Sequence, residues 1–222
     1  MKKIMLFCGI GAPLVYAFTV FLGGFLRPDY NPFAQSISSL VGTGAPNKAL
    51  LDPLFAIYNV LTLAFGIGVW QIVQGDPANR RRRLGLVAAG ALILGGVVGI
   101  ATLLFPEPAE GSPLNSTGTM HIILASLSSL TTMLTILLMG FWFRAGFSLR
   151  GYGTYSFLSV LVVFLSGGVA AASIASNSAF GGLAERVTIG GFMQWLFIVA
   201  IKLYVKETNW GEGPAPHVYP MP

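Results

Sequence analysis

Six apolar runs, each long enough to cross a lipid bilayer, decide what this chain can be. They cover residues 4–26, 51–74, 84–105, 120–143, 152–173 and 186–204, and a spanning helix needs about 20 mostly apolar residues. No water pairs the backbone inside lipid, so an open chain must bond its own N–H and C=O groups as helices. The expected fold is therefore all-α, an integral membrane bundle of six transmembrane helices. Only 9% of the residues are charged against 54% hydrophobic, whereas soluble domains carry about 25% charge. The runs leave no room for a separate soluble domain. We expect residues 1–206 to form the transmembrane domain and residues 207–222 a cytoplasmic tail rich in proline and glycine.

The net charge of +5 does not point to nucleic acid, because the basic residues fall between the apolar runs. Ten of the 13 lysines and arginines sit at the N-terminus, in the second and fourth connections and at the end of the last run: Lys2, Lys3, Arg80 to Arg83, Arg144, Arg150, Lys202 and Lys206. The other side holds Arg27, Lys48 and Arg186. Positive charge in short loops marks the cytoplasmic side, so both termini are expected there. Lys2 and Lys3 before an apolar run resemble a signal peptide. No small-x-small site closes that run, however, and an uncleaved first helix is expected. The lone cysteine, Cys8, allows neither an intrachain disulfide nor a thiolate metal site.

Several faces of the runs carry polar or small residues. In the second, Asp52, Asn59, Thr62 and Gly66 share a face, and Asp52-Pro53 reads as an N-cap with proline in the first turn. The third run carries Gly85, Ala88, Ala89, Gly95, Gly96 and Gly99, a pattern that lets helix backbones approach closely. The fourth places His121, Ala125, Ser128, Thr132 and Thr135 on one stripe. The fifth places Ser156, Ser159, Ser166, Ser173 and Asn177 on another. Such hydroxyls usually join helices, or bond their own backbone. The connection at residues 27–50 is long for a bundle, and its serine-rich middle, residues 32–41, is expected to cover the bundle mouth.

Candidates for chemistry gather at the expected outer ends: Arg27, Asp29, Asp52, Glu107, Glu110, His121, Glu185 and Arg186. Ionisable groups at membrane depth are functional candidates, a warrant that weakens at helix ends, where long side chains reach the interface. His121 is the candidate base, since imidazole changes protonation near neutrality, with an acid from Asp29, Asp52, Glu107 or Glu110. Ser36, Ser38 and Ser39 are permitted nucleophiles, but no Gly-x-Ser-x-Gly elbow is present. The plainer reading has His121 hydrogen-bonded within the outer loops, Asp52 as a cap, and Glu185 with Arg186 as an exposed or interfacial pair. Arg27, Ser36, Ser38, Ser39, Glu185 and Arg186 would line an outer binding mouth. The second histidine, His217, belongs to the tail on the other side, so no multi-histidine metal site is expected. No cofactor is expected either, a lone histidine being a weak pattern for haem or a chlorin. Asn115-Ser116-Thr117 matches a glycosylation acceptor, a short pattern of little weight.

These outer segments are similar to a known family. Pro28-Asp29-Tyr30-Asn31-Pro32 followed by Ser36-Ile37-Ser38-Ser39-Leu40-Val41-Gly42 resembles the loop after the first helix in a prokaryotic six-span family, domain of unknown function 998. Leu104-Phe105-Pro106-Glu107 with Gly118-Thr119-Met120-His121, and Gly182-Leu183-Ala184-Glu185-Arg186 leading to Trp195, resemble the same family. The chain departs from it where Pro108 follows Glu107, a place where members often carry aspartate. The family is distantly similar to DRAM-like and FRAG-like membrane proteins. The resemblance implies six helices, both termini inside, and a multi-pass protein of the cytoplasmic (inner) membrane; it implies no reaction.

The favoured function is a non-catalytic accessory or lipid-associated subunit of a larger membrane complex, with the lipid bilayer and neighbouring subunits as partners. The second reading is an intramembrane hydrolase or transferase on lipid-linked substrates with His121 as base, and the third a small transporter. The tail, with Trp210 and Tyr219, offers too little apolar surface to fold alone, and is expected to bind a neighbouring subunit. Deleting residues 209–222 should release the protein from its complex while the six helices stay inserted; unchanged co-purification would refute the tail's role.

Overall fold

In the computed structural model, which describes residues 1–109, 111–146, 149–176 and 178–209, the chain forms six long helices: α1 (Lys2–Phe25), α2 (Lys48–Gln74), α3 (Arg82–Thr102), α4 (Ser116–Ala145), α5 (Arg150–Ala175) and α6 (Gly181–Asn209). All six are long and apolar enough to cross a membrane, and no strand occurs among the described residues. Their outer faces are apolar, as Phe7, Leu14, Phe18, Phe21 and Phe25 along α1 illustrate. Each helix packs chiefly on its neighbours in sequence, and α6 closes on α1, so the helices stand in a ring in chain order.

Helices α2, α4, α5 and α6 outrun the apolar stretches that specify them, whereas α3 stops three residues before its run ends. Asn115 caps α4, its Oδ1 accepting from the Gly118 N–H at 2.8 Å. One sequence expectation is corrected here. Asp52 does not cap α2, which begins four residues earlier at Lys48 with Asn47 in the cap position. Pro53 is carried inside the helix, and the Asp52 carboxylate faces Lys48 one turn back at 2.7 Å.

Small residues set the helix spacing, since in lipid packing must substitute for the hydrophobic effect. Gly96 of α3 lies so close to α2 that a Cβ would stand 2.8 Å from Leu63 Cβ and 3.0 Å from the Asn59 carbonyl. On the other side of α3, a Cβ at Gly85 would meet Trp142 of α4 at 2.9 Å. At the end where α1 begins and α6 ends, the centre of the ring is filled. Phe65, Val69, Ala88, Ile136, Trp142, Phe143, Trp195, Leu196 and Leu203 form one buried cluster, and the Trp195 indole donates to Ser156 Oγ at 2.9 Å. We call this the closed end. The opposite, mouth end has no such filling.

The close α2–α3 approach sets an expectation. Gly96→Leu should destabilise the bundle by about 1–3 kcal/mol, the usual cost of overpacking, read as a lower unfolding midpoint in detergent. Gly151→Ala, where a Cβ meets nothing within 4 Å among the described residues, should not lower the midpoint, alanine being the better helix former.

Candidate functional site

Residues 27–47 fold over the mouth as a packed loop, with a single 3₁₀ turn at Ser38–Val41. Tyr30, Ile37 and Leu40 are buried against Leu51 and Phe55 of α2. The loop is also fastened from the far side of the ring. Its carbonyls at Phe33 and Ala34 accept the N–H groups of Leu183 (2.9 Å) and Gly182 (3.2 Å), two of the donors that a helix N-terminus leaves unpaired. Only glycine fits at position 182, because a Cβ there would stand 2.8 Å from the Pro32 carbonyl oxygen.

Glu185 and Arg186 complete this fastening, each by a different bond. The Glu185 carboxylate accepts the Ile37 N–H at 2.8 Å. The Arg186 guanidinium donates to the carbonyls of Gln35 (3.0 Å) and Gly182 (2.9 Å) and to the Tyr30 hydroxyl. It also lies over the Tyr30 ring, 5.4 Å from the centroid, while Arg27 lies 5.8 Å from the same centroid. Burial pushes the Tyr30 phenol above its ordinary range, against the opposing pull of Arg186. The phenol therefore stays protonated, and donates to the Ser36 carbonyl at 2.8 Å. Glu185 and Arg186 are thus not an exposed ion pair but two separate clamps on the mouth loop. Arg27 further holds the Ser39 carbonyl at 3.1 Å and meets Asp29 at 3.4 Å on the loop's exposed side.

Beneath the loop lies a cavity of about 930 Å³ in the centre of the ring. Its upper wall carries Ser36, Ser38, Lys48, Asp52, Glu107, His121 and Glu185. Lower down it is lined by Asn59 and Thr62 of α2, Gly95 and Gly99 of α3, and Ser128, Thr132 and Thr135 of α4. From His121 to Thr135 the wall descends about 20 Å at 1.5 Å per residue. That depth falls short of the roughly 30 Å hydrocarbon core, and the aromatic cluster of the closed end lies below. The cavity is a cup, not a channel.

The structure thus gathers several of the sequence candidates and separates others. Glu107 accepts the Ser36 hydroxyl at 2.7 Å, and its carbonyl accepts the Thr43 N–H at 2.8 Å. His121 faces the same space, with Nδ1 2.8 Å from the Phe105 carbonyl oxygen. A carbonyl only accepts, so Nδ1 carries the proton, and in the neutral ring Nε2 keeps its lone pair. The orienting partner is backbone, and among the described residues no carboxylate is ion-paired with His121. Asp29 stands apart on the exposed side of the loop, and Ser39 bonds back to the Ser36 carbonyl at 2.8 Å. Glu110, Asn177, Trp210 and Tyr219 lie outside the described residues.

Two polar stripes that look alike in sequence part company here. All five α4 residues, His121 to Thr135, line the cavity. In α5, Ser156 instead holds Trp195, and Ser166 accepts from Thr188 of α6 at 2.9 Å. That stripe joins helices.

Residues 10–202 match the model of the family described as "Protein of unknown function (DUF998)". The chain belongs to the DUF998 family. No curated protein and no solved structure matches it. The DUF998 match takes in every residue that lines the cavity, from Tyr16 to Met193.

The clamp geometry is testable. Arg186→Lys keeps the charge but loses the planar fork that reaches two carbonyls and a hydroxyl at once. It should loosen the mouth loop, raising the maleimide labelling rate of a Ser38→Cys reporter by about ten- to a hundredfold, the factor that goes with losing roughly one charged hydrogen bond of 1.5–3 kcal/mol. An unchanged labelling rate would remove the clamp.

Proposed function

We propose that this is a non-catalytic, lipid-associated membrane protein whose central cup holds an amphiphile drawn from the bilayer. The observation that carries this reading is the cup itself, charged at its mouth and lined lower down by hydroxyls and small residues. A volume of about 930 Å³ falls at the upper end of small-molecule sites, which run to about 1,000 Å³. A polar head would meet Ser36, Lys48, Asp52, Glu107 and His121, while an apolar chain would run down between α2 and α4. Among the described residues Asp52 Oδ1 is buried without a hydrogen-bond partner, an acceptor on the wall that a ligand donor would satisfy. The concentration of basic residues at the closed end supports a cytoplasmic closed end and an outward-facing mouth. A neighbouring subunit remains part of the proposal through the tail.

One observation favours a second reading, the hydrolase or transferase on lipid-linked substrates. His121 is held by its Nδ1 bond to the Phe105 carbonyl, which leaves Nε2 as a positioned acceptor of a proton. No serine hydroxyl is hydrogen-bonded to it among the described residues, which leaves the non-catalytic reading ahead. A transporter has less support, because the aromatic floor interrupts any path through the ring.

Protein purified in a mild detergent should carry about one lipid per chain by native mass spectrometry. Thr132→Phe, which fills the lower cup, should reduce the bound lipid by at least about tenfold without lowering the unfolding midpoint by more than the 1–3 kcal/mol of ordinary overpacking. His121→Asn should retain the lipid. A lipid-free wild type, or a Thr132→Phe variant with unchanged lipid, would overturn the reading. Chemically altered lipid on the wild type, absent from His121→Asn, would favour the enzyme.

A further inference from the structure

The cup needs a way in, and its walls are unequal. The mouth loop is pinned across the top by α6, α2 and the Glu107 segment. The floor is filled by Phe65, Ile136, Trp142 and Trp195. Around the ring, α3 stays against α4 towards the mouth. There a Cβ at Gly95 would lie 3.3 Å from Thr131 Oγ1, and His121 reaches the Phe105 carbonyl. Likewise α5 stays with α6, through Ser166 and Thr188 and through Val163, 3.1 Å from a Cβ at Gly191.

The seam between α4 and α5 behaves differently along its length. Near the closed end it is tight. The Phe141 and Phe157 rings lie 5.0 Å apart, those of Phe143 and Tyr152 6.2 Å, and a Cβ at Gly153 would stand 2.9 Å from the Gly140 carbonyl oxygen. Towards the mouth no ring contact or side-chain hydrogen bond joins the two helices among the described residues. Ala125, Ser126 and Ser129 of α4 and Ala171 and Ala175 of α5 line the cup and are nevertheless exposed. A Cβ at Gly168 would meet nothing within 4 Å among the described residues. Beside this gap the outward faces are apolar, with Ile122, Ile123, Phe164, Leu165 and Val169 exposed. At this depth of a spanning bundle the surroundings are hydrocarbon.

We infer that the α4–α5 seam is a lateral portal through which the hydrocarbon chain of a bilayer lipid enters the cup, its head coming to lie towards the mouth loop. This rests on the lipid-binding reading above and adds the route and the part of the ligand that uses it. The occupant follows from position. An opening flanked by exposed aliphatic and aromatic side chains inside the membrane admits an acyl chain and excludes a water-soluble solute, whose desolvation there costs several kcal/mol per polar group.

The test locks each way in turn. In a Cys8→Ser background, one variant carries Ala125→Cys with Ala171→Cys across the seam. A second carries Phe33→Cys with Leu183→Cys, joining the mouth loop to α6, where the two backbones already hydrogen-bond. Both are cross-linked with a reducible bis-maleimide, reconstituted in vesicles of phosphatidylethanolamine, and mixed with vesicles of the same lipid bearing perdeuterated chains. Replacement of bound light lipid by heavy lipid is read by native mass spectrometry. The seam lock should slow replacement by about tenfold or more, through the dissociation and association steps alike, and reduction of the linker should restore it. The loop lock should leave the rate unchanged. Fast replacement with the seam locked, or slow replacement with only the loop locked, would overturn the portal while leaving lipid binding intact. An unlocked protein that carries no lipid at all would overturn the lipid-binding reading, and the portal with it.

Discussion

The packing of large aromatic side chains at one end of the ring is what the remainder of the molecule depends on. Six helices in a ring enclose more space than aliphatic side chains readily fill, and in lipid no hydrophobic pressure collapses it. At the closed end the space is taken by Phe65, Trp142, Phe143 and Trp195, each buried almost completely. The helices come close enough for this because glycines admit the rings, as Gly85 does for Trp142. The Trp195–Ser156 hydrogen bond ties α6 to α5 at that level. Further up, the inward positions turn to threonine, serine, alanine and glycine, and the ring opens into the cup. Side-chain size along the bundle axis, more than helix number, decides where the cavity stops.

The mouth loop answers the opposite problem, how to hold irregular backbone close to a membrane. Its polar groups are paired with side chains and helix ends that would otherwise carry unmet bonds of their own. The α6 N-terminus supplies N–H donors to the loop carbonyls, and Arg186 and Glu185 supply a guanidinium donor and a carboxyl acceptor one residue apart. Tyr30, with the guanidiniums of Arg27 and Arg186 both over its ring, is the point where the loop, α1's end and α6 meet. The charged residues of the mouth therefore divide into two groups. Arg27 and Arg186 build the cover, whereas Lys48, Asp52 and His121 are left facing the cup; Glu107 and Glu185 serve both.

Much of the fold is legible in the sequence because a bilayer imposes a length. Runs of about 20 apolar residues declare helices, and the small residues of α3 declare close packing, borne out at Gly85 and Gly96. What the stripes mean is not legible. His121-Ala125-Ser128-Thr132-Thr135 and Ser156-Ser159-Ser166 share the same spacing logic, yet one lines a cavity and the other bonds to α6. Periodicity fixes a common face but not whether a neighbour covers it. The roles of Glu185 and Arg186 were hidden for another reason, since their partners Ile37 and Gln35 lie 148 and 151 residues away in the chain. The cap expected at Asp52 failed because proline is tolerated inside a helix whose first turn starts earlier than the apolar run.

The central claim is that a bilayer lipid occupies the cup in the native membrane. Its most direct measurement places a photo-activatable benzoylphenylalanine at Thr132, on the lower wall, in cells that express the protein. The illuminated, purified chain is then weighed. The account requires an adduct with the mass of a membrane lipid at Thr132 in cells, and one that still forms at Thr132 but not at the outward-facing Leu130 when a second sample is moved into detergent before illumination. A chain that cross-links only to itself or to water at Thr132, with no lipid mass added, would contradict it.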